Sequence, residues 1–540
     1  MAESAGKYDY IIVGAGTAGC VLANRLTQDK NVSVLLLEAG AKDDYIWVHL
    51  PIGFRHMIDN PRTDWRYHTQ AEAGLNGRSV LYPSGRILGG SSAINGMIYQ
   101  RGQVQDYDRW ADASGDAGWR WDQLLPLFKK SEDYAEGADD FHGAGGDWRV
   151  EKQQMRWDIL DAFREAAFQS GVPKINDFNR GSAEGCGYFD INQKNGLRLN
   201  TAKAFLRTIT RRGNLDIMTG SQVRRLIIAQ TEQGSVCTGV EFTGGGKEWV
   251  ADVSRETILA AGAFGSPQIL QRSGIGPASL LQEQQIPVVQ DLPGVGENLQ
   301  DHLPLKMVFR VAGAKTSNAT MNTMTASWLG KAAMGLQYLL KKTGPISAVP
   351  APLGALLRSD SSQATPNLGY QIQPWSQESA GSALHAYPAF TASVANLKPT
   401  ARGQVRITAP DMLVAPAIHM NYLSTQQDQD VAAAAIRLTR KIVAAPALQP
   451  YALQEMSGGD DLLRLAGDIG AAGTNPVGTC KMGVASDPSA VVDSELRVRG
   501  IAGLRVVDAS VMPLITTGDT GATTIVIAER AAQLIRAAQP

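Results

Sequence analysis

A chain of 540 residues, 44% hydrophobic and 19% charged, has the makeup of a globular protein with large cores, and the ~150-residue domain scale allows roughly three to four units. Its 51 basic and 52 acidic side chains are mixed along the chain and leave a net charge of −1, so overall charge gives no reason to expect nucleic acid or anionic lipid as a partner. The cysteines Cys20, Cys186, Cys237 and Cys480 form no CxxC pair, and the histidines show no HxxxH spacing. No disulfide framework and no metal site is therefore expected.

The N-terminus "MAESAGKYDY" lacks the basic and apolar regions of a signal peptide, and no apolar run reaches the ~18 residues of a membrane span. A cytoplasmic protein without a transmembrane segment is the expectation. Tyr10 to Val13 read as a buried strand, Val21, Leu22 and Leu26 follow at helical spacing, and Val32 to Leu37 read as a second buried strand. Between strand and helix, Gly14, Gly16 and Gly19 have the G-x-G-x-x-G spacing that lets a pyrophosphate approach a helix N-terminus. Glu38, ending the second strand, suits a ribose diol and disfavours a 2′-phosphate, which leaves NAD or FAD.

Further along, "GRILGGSSAINGMIY" (85–99) is a glycine- and serine-rich loop whose backbone can lie close to a flat ring or a diphosphate, with Asn95 available to ring heteroatoms. In "SRETILAAGAFGSPQILQRSGIG", a strand over Thr257 to Ala260 is expected to lead to a helix capped at Ser266 with Pro267 as its first residue. Residues 311–470 alternate apolar and polar residues at "NLGYQIQP", "HAYPAFTASVANL" and "GQVRITA", a pattern for a half-exposed antiparallel sheet able to roof a ring system. "WLGKAAMGLQYLLKK", from Trp328, has helical spacing and a basic end, and is expected to pack on the core rather than lie on a membrane. Trp47, Phe54 and Trp375 are candidate pocket residues. Near the C-terminus, "GTNPVGTCKMG" (473–483) is a compact loop, and Asp519 stands as a favourable N-cap before the apolar run of the last helix.

The two glycine-rich stretches at 85–99 and 262–276, with the N-terminal βαβ unit, "DLPGVGENLQDH" (291–302) and "LRVVDASVMP", resemble the glucose-methanol-choline (GMC) flavin oxidoreductases along the whole chain, in layout the bacterial alcohol and choline dehydrogenases. The resemblance implies an α/β protein. A Rossmann-like FAD-binding domain would be assembled from 1–45, 80–110, 205–310 and 470–540, and an α+β substrate domain with an antiparallel sheet from 46–79, 111–204 and 311–469. It implies FAD held at Gly14, Gly16, Thr17, Ala18, Gly19, Glu38, Ala39, Gly90, Ser91, Ala261, Asp508, Ala509, Asp519 and Thr520. Val223 would meet the adenine edge, and Arg86, Asn95, Gly96 and Met97 the flavin. Some relatives attach FAD through a histidine beside the signature asparagine. Here that neighbour is Ile94, so FAD is expected without a covalent bond.

In the family, the loop at 473–483 usually carries His-Pro and a second active-site position carries Asn or His. This chain has Asn475-Pro476 and, counting back from "IVIAER", Gly521. Asp519 is the nearest side chain able to take a proton. Burial beside a flavin would raise its pKa, and the helix N-terminus would lower it. The expected reaction is hydride transfer from the CH–OH group of a small alcohol to flavin N5, with Asn475 orienting the oxygen, Asp519 as candidate base, and oxygen or a quinone or dye as electron acceptor. The alternatives are a GMC-fold flavoprotein that has lost alcohol oxidation and acts on another bond or uses FAD structurally, and an NAD-binding module. Aliphatic or aromatic alcohols fit better than charged choline.

Overall fold

The computed structural model describes residues 2–181, 183–313, 320–325, 328–379 and 381–538. Two sheets dominate it. The first has eight strands, and its parallel part runs Leu215–Thr219, Val34–Glu38, Glu3–Val13, Lys247–Leu259. The antiparallel strands Gly234–Gly244 and Ser221–Thr231 extend it, and the short strand Leu504–Val506 adds in parallel to the end of Lys247–Leu259. Val34 to Leu37 are buried without alternation, as expected of a parallel strand covered on both faces. The helix Thr17–Leu26 packs against the last helix, Thr520–Ala537.

The second sheet has six antiparallel strands in the order Leu453–Glu455, Pro304–Val311, Ala389–Asn396, Leu368–Gln373, Leu353–Leu357, Gly185–Tyr188. One face packs Met307, Phe309, Tyr370, Ile372, Phe390 and Val394 into a core with Val431, Ala435 and Ile436 of the helix Gln426–Val443. The other face carries Gln371 and Gln373 and looks toward the first sheet.

Four expectations are corrected. Ala389 to Ala395 are buried on both faces, because the sheet lies between helices and the first domain rather than at the surface. "GQVRITA" contributes Gln404–Arg406 to a separate two-stranded pair with Ala417–His419. The helix Gly262–Arg272 begins before Ser266, whose hydroxyl instead donates to Asp508 Oδ2 at 2.5 Å and accepts from Ala261 N at 3.2 Å. The helix Trp328–Lys341 buries only Met334 and Tyr338.

Candidate active site

A cavity of about 730 Å³ lies between the two sheets, lined at one end by the glycine turn and Glu38 and also by Asn475 and Asp519. The turn has the shape its residues dictate. Gly14 has φ +105°, and a Cβ there would lie 2.5 Å from Ala260 O. Gly90, at φ +54°, presses its backbone against Gly16, where a Cβ would come within 2.7 Å of Gly16 Cα. A side chain at either position would force apart the two backbones that form this wall.

Glu38 accepts hydrogen bonds from Ala15 N (3.0 Å) and Gly40 N (2.7 Å), and burial raises its pKa to about 7. Each oxygen retains a lone pair for a diol. Asn95 Oδ1 accepts from Met97 N (3.0 Å) and from Arg198 Nη1 (2.8 Å), and Met97 is held in the left-handed region at φ +61°. Asp508 ties its own segment to the start of the helix Gly262–Arg272, accepting from Gly262 N (2.9 Å), Ser266 Oγ and Ser510 N (2.8 Å). Asn192 also lines the cavity, and its Nδ2 is buried without a hydrogen-bond partner. A dinucleotide with a polar ring system fits these features: a Cβ-free cradle at one end and an unsatisfied amide donor in the wall.

Gly14, Gly16, Thr17, Ala18, Glu38, Ala39, Gly90, Ser91, Asn95, Gly96, Met97, Val223, Ala261, Asp508, Ala509, Asn475, Asp519 and Thr520 all line this cavity. Gly19 and Arg86 do not. A Cβ on Gly19 would fall 1.9 Å from Gly14 O, so its place is in helix-to-strand packing. Arg86 stacks its guanidinium over Trp65 at 4.8 Å, with Nε buried and unpartnered. Trp47, Phe54 and Trp375 are also absent from the wall: Trp47 stacks on His56, Phe54 meets Trp375, and Trp375 Nε1 donates to Pro350 O.

At the other pole, Asp519 occupies the N-cap position of the last helix, but its side chain makes no capping hydrogen bond. Asn475 supplies the cap instead. Its Oδ1 accepts from Thr520 Oγ1 at 3.1 Å and Thr520 N at 3.4 Å, while its Nδ2 donates to Asp519 Oδ1 at 3.4 Å. Released from capping, the Asp519 carboxylate is governed by desolvation, which raises its pKa to about 6 against the opposing hydrogen bond from Asn475. Gly521 lines the same cavity, and open space surrounds the place its Cβ would take.

Asp301 holds the loop that carries Asn475. Its oxygens accept from Gly473 N (2.9 Å), Asn475 N (2.9 Å) and Tyr422 Oη (2.6 Å), and burial raises its pKa to about 6. Thr474, between the two clamped amides, has φ +62° and lines the cavity. His302, next to Asp301, is buried and its pKa is lowered to about 4 by desolvation, so it stays neutral. Gln371, Gln373 and Asn192 carry no motif, and Asp301 lies in "DLPGVGENLQDH" without being singled out there as a site residue. The period-two alternation of "LGYQIQ" is the one signal that places both glutamines on a common face. His68 also lines the cavity, at an exposed position with Nδ1 3.2 Å from Arg66 O. Among the described residues, no group of three or more His, Cys, Asp or Glu is placed to hold a metal, and no helix is long and apolar enough to cross a membrane.

A dinucleotide cradle that shares one cavity with a desolvated carboxylate is the arrangement of a cofactor-dependent enzyme with a candidate proton acceptor in the cofactor's cavity. Residues 8–304 match the N-terminal and residues 399–528 the C-terminal model of the GMC oxidoreductases, and the chain belongs to that family. It is 38% identical over 537 residues to an oxygen-dependent choline dehydrogenase of Photobacterium profundum, a match covering 98% of this chain and 93% of that one. A Yersinia pseudotuberculosis protein of the same description is 39% identical over 547 residues, covering 99% and 94%. Among solved structures, pyridoxine 4-oxidase from Mesorbium loti superposes with a TM-score of 0.87 at 31% identity, covering 99% of this chain and 100% of that one. An FAD-dependent oxidoreductase from Chaetomium thermophilum superposes with a TM-score of 0.88 at 26% identity, over 98% and 99%. The chain is an FAD-dependent oxidoreductase acting on CH–OH donors.

Proposed function

We propose that this enzyme oxidises a neutral alcohol, with Asp519 taking the hydroxyl proton and Asn475 orienting the oxygen. The observation that carries this reading is the Asp519 carboxylate in the cavity wall, uncapped and desolvated. A base with a pKa near the working pH combines a populated ionised form with a useful driving force for proton transfer. Asn475 spends one Nδ2 hydrogen on Asp519 and keeps the other for the substrate oxygen. Bound FAD supplies the hydride acceptor. Asp301 keeps Asn475 in register by clamping the amides of Gly473 and Asn475. The segments 1–45, 80–110, 205–310 and 470–540 would make up the cofactor domain and the rest the substrate domain. FAD would be non-covalent, since Ile94 offers no nucleophile, and reoxidation would fall to oxygen or to a quinone-like or dye acceptor.

A neutral substrate is favoured over a quaternary ammonium such as choline by the charge of the roof. Lys306 pairs with Ser393, and Ser393 with Gln371, so all three share the face that lines the cavity at Gln371. No ion pair or hydrogen bond satisfies the Lys306 ammonium among the described residues, and desolvation lowers its pKa. Lys306 lies two strands from Gln371 on that face and outside the cavity wall, so a second fixed cation in the cavity would feel its charge at a distance. A hydroxyl or carbonyl would meet the amide donors of Gln371 and Gln373. Rapid mixing of anaerobic enzyme with primary, benzylic and quaternary-ammonium alcohols tests both parts. Neutral alcohols should bleach the flavin band faster than choline, and Asp519→Asn should slow bleaching by about 10²-fold or more at unchanged FAD content. The rate constant for bleaching should rise with pH and level off above about 6, as Asp519 ionises. An unaltered rate in Asp519→Asn removes Asp519 as the base. An absence of bleaching with all three classes overturns the assignment of a neutral primary or benzylic alcohol as substrate.

A further inference from the structure

Arg198 buries a guanidinium that no acid neutralises. It ends the short hairpin of Gln193–Lys194 and Leu197–Arg198, is 1% exposed, and has no ion pair with an acid among the described residues. Its Nη1 donates to Asn95 Oδ1 at 2.8 Å and to Ser92 O at 3.4 Å, while Nε and Nη2 are buried without a hydrogen-bond partner. Lys203, the next cation, donates to the Arg198 carbonyl at 2.7 Å, and Asp43, whose charge reaches Lys203, is engaged by Arg207 and Asn200. Desolvation lowers the Arg198 pKa to about 9, so the group stays charged at neutral pH. A buried cation without a counter-ion is costly, and the fold keeps this one against the back of Asn95.

The neighbours of Asn95 leave its amide one orientation. Met97 N (3.0 Å) and Arg198 Nη1 both present hydrogens, so only Oδ1 can face them, and both of its lone pairs are used. Asn95 Nδ2 makes no hydrogen bond among the described residues, and Asn95 lines the cavity. Its side chain therefore offers the cavity a donor and no acceptor. An amide whose oxygen is held by a guanidinium is polarised by that charge, which makes its N–H a stronger partner for negative charge. Backbone bonds keep the hairpin behind this loop: Asn192 N donates to Met97 O at 2.8 Å, and Leu199 N to Asn192 O at 3.2 Å.

We propose that Arg198 is a positioning residue that turns Asn95 Nδ2 toward the flavin and, through that polarised amide, raises the reduction potential of the cofactor. A flavin gains negative charge on reduction, and a fixed donor beside the ring stabilises that charge. The inference rests on the ring lying at Asn95 and involves neither Asp519 nor the alcohol, so its failure leaves the proton acceptor to be judged by Asp519→Asn alone. The test is the midpoint potential of the FAD-loaded enzyme, measured by equilibration with reference dyes. Parent, Arg198→Met, Arg198→Lys, Asn95→Ala and the double variant Arg198→Met/Asn95→Ala are compared at equal FAD content. Arg198→Met and Asn95→Ala should each shift the equilibrium toward oxidised flavin by at least ~10-fold, a fall of about 30 mV for a two-electron couple. Arg198→Lys, which keeps a charged donor, should lie closer to the parent. Arg198→Met should move the Asn95→Ala protein much less than it moves the parent. A parent potential in Arg198→Met, or an equal shift with and without Asn95, overturns the role of Arg198. A parent potential in Asn95→Ala also overturns it, even where Arg198→Met yields no holoenzyme.

Discussion

Asn475 and Asp519 exchange the duties their residue types suggest. A carboxylate at an N-cap normally turns back onto the free N–H groups of the helix, which lowers its pKa and occupies its oxygens. Here the amide caps the helix from another segment, and the carboxylate keeps the desolvation that raises its pKa to about 6. The sign of the linkage follows. The cost of burying ionised Asp519 is absent below its ordinary pKa of 3.8 and fully present above about 6. Asp519→Asn should therefore stabilise the protein relative to the parent by on the order of 1 kcal/mol at neutral pH, with the gain fading toward pH 4 in denaturant titrations. Asp301 makes the opposite case, because its oxygens are the only acceptors that satisfy the Gly473 and Asn475 amides among the described residues. Asp301→Asn should turn a donor toward a donor, costing about 1–3 kcal/mol locally. We expect kcat to fall and KM to rise while FAD remains bound, with the pH profile still levelling near 6.

At the scale of elements, the position of the last helix decides where Asp519 sits. An ion cluster sets that position: Glu529 accepts from Arg25 of the first helix (2.6 Å), from Lys130 (2.8 Å) and from Ser131 Oγ (3.0 Å), and Arg25 also pairs with Asp147 (2.9 Å). These partners lower the Glu529 pKa, so the stability it contributes is present above its unfolded pKa and is lost as pH falls. Glu529→Ala leaves the buried Arg25 guanidinium with Asp147 as its remaining acidic partner and should cost about 1–3 kcal/mol in thermal or chemical unfolding. The helix Gly262–Arg272 shows a similar dependence on distant segments. Pro267 cannot donate to Ala263 O, and Thr479 Oγ1 fills that acceptor at 2.7 Å from within the loop that also carries Asn475.

At the scale of the whole molecule, the cavity is the seam between two sheets, each with its own core. A cofactor that binds only the folded seam adds about 2.7 kcal/mol of stability at a free concentration one hundred times its Kd. Stripping FAD should lower Tm, and readdition should restore it in proportion to the logarithm of FAD concentration. Substitutions at Gly90 should abolish that dependence, since a Cβ there meets the Gly16 backbone.

The dinucleotide unit was legible in the residues themselves, because a glycine turn between a buried strand and a helix is dictated by local sterics over a few neighbours. The roof strands at "NLGYQIQP" and "HAYPAFTASVANL" were legible as strands for a similar reason, since alternation is a property of the strand alone, but the burial of 389–395 on both faces was not. Contacts between distant segments were not. The capping of residue 520 by Asn475, the clamp of Asp301 on the loop at 473–475, and the satisfaction of Ala263 O by Thr479 each join residues far apart in the chain. The helix at 328–341 failed for the complementary reason: its periodicity shows that it has an apolar side, and only packing decides that this side faces outward. Residue types and local spacing thus determined that a dinucleotide is bound and where strands of both sheets lie, while the proton acceptor's environment was decided by tertiary structure, because desolvation and hydrogen-bond competition depend on what the fold places beside a group.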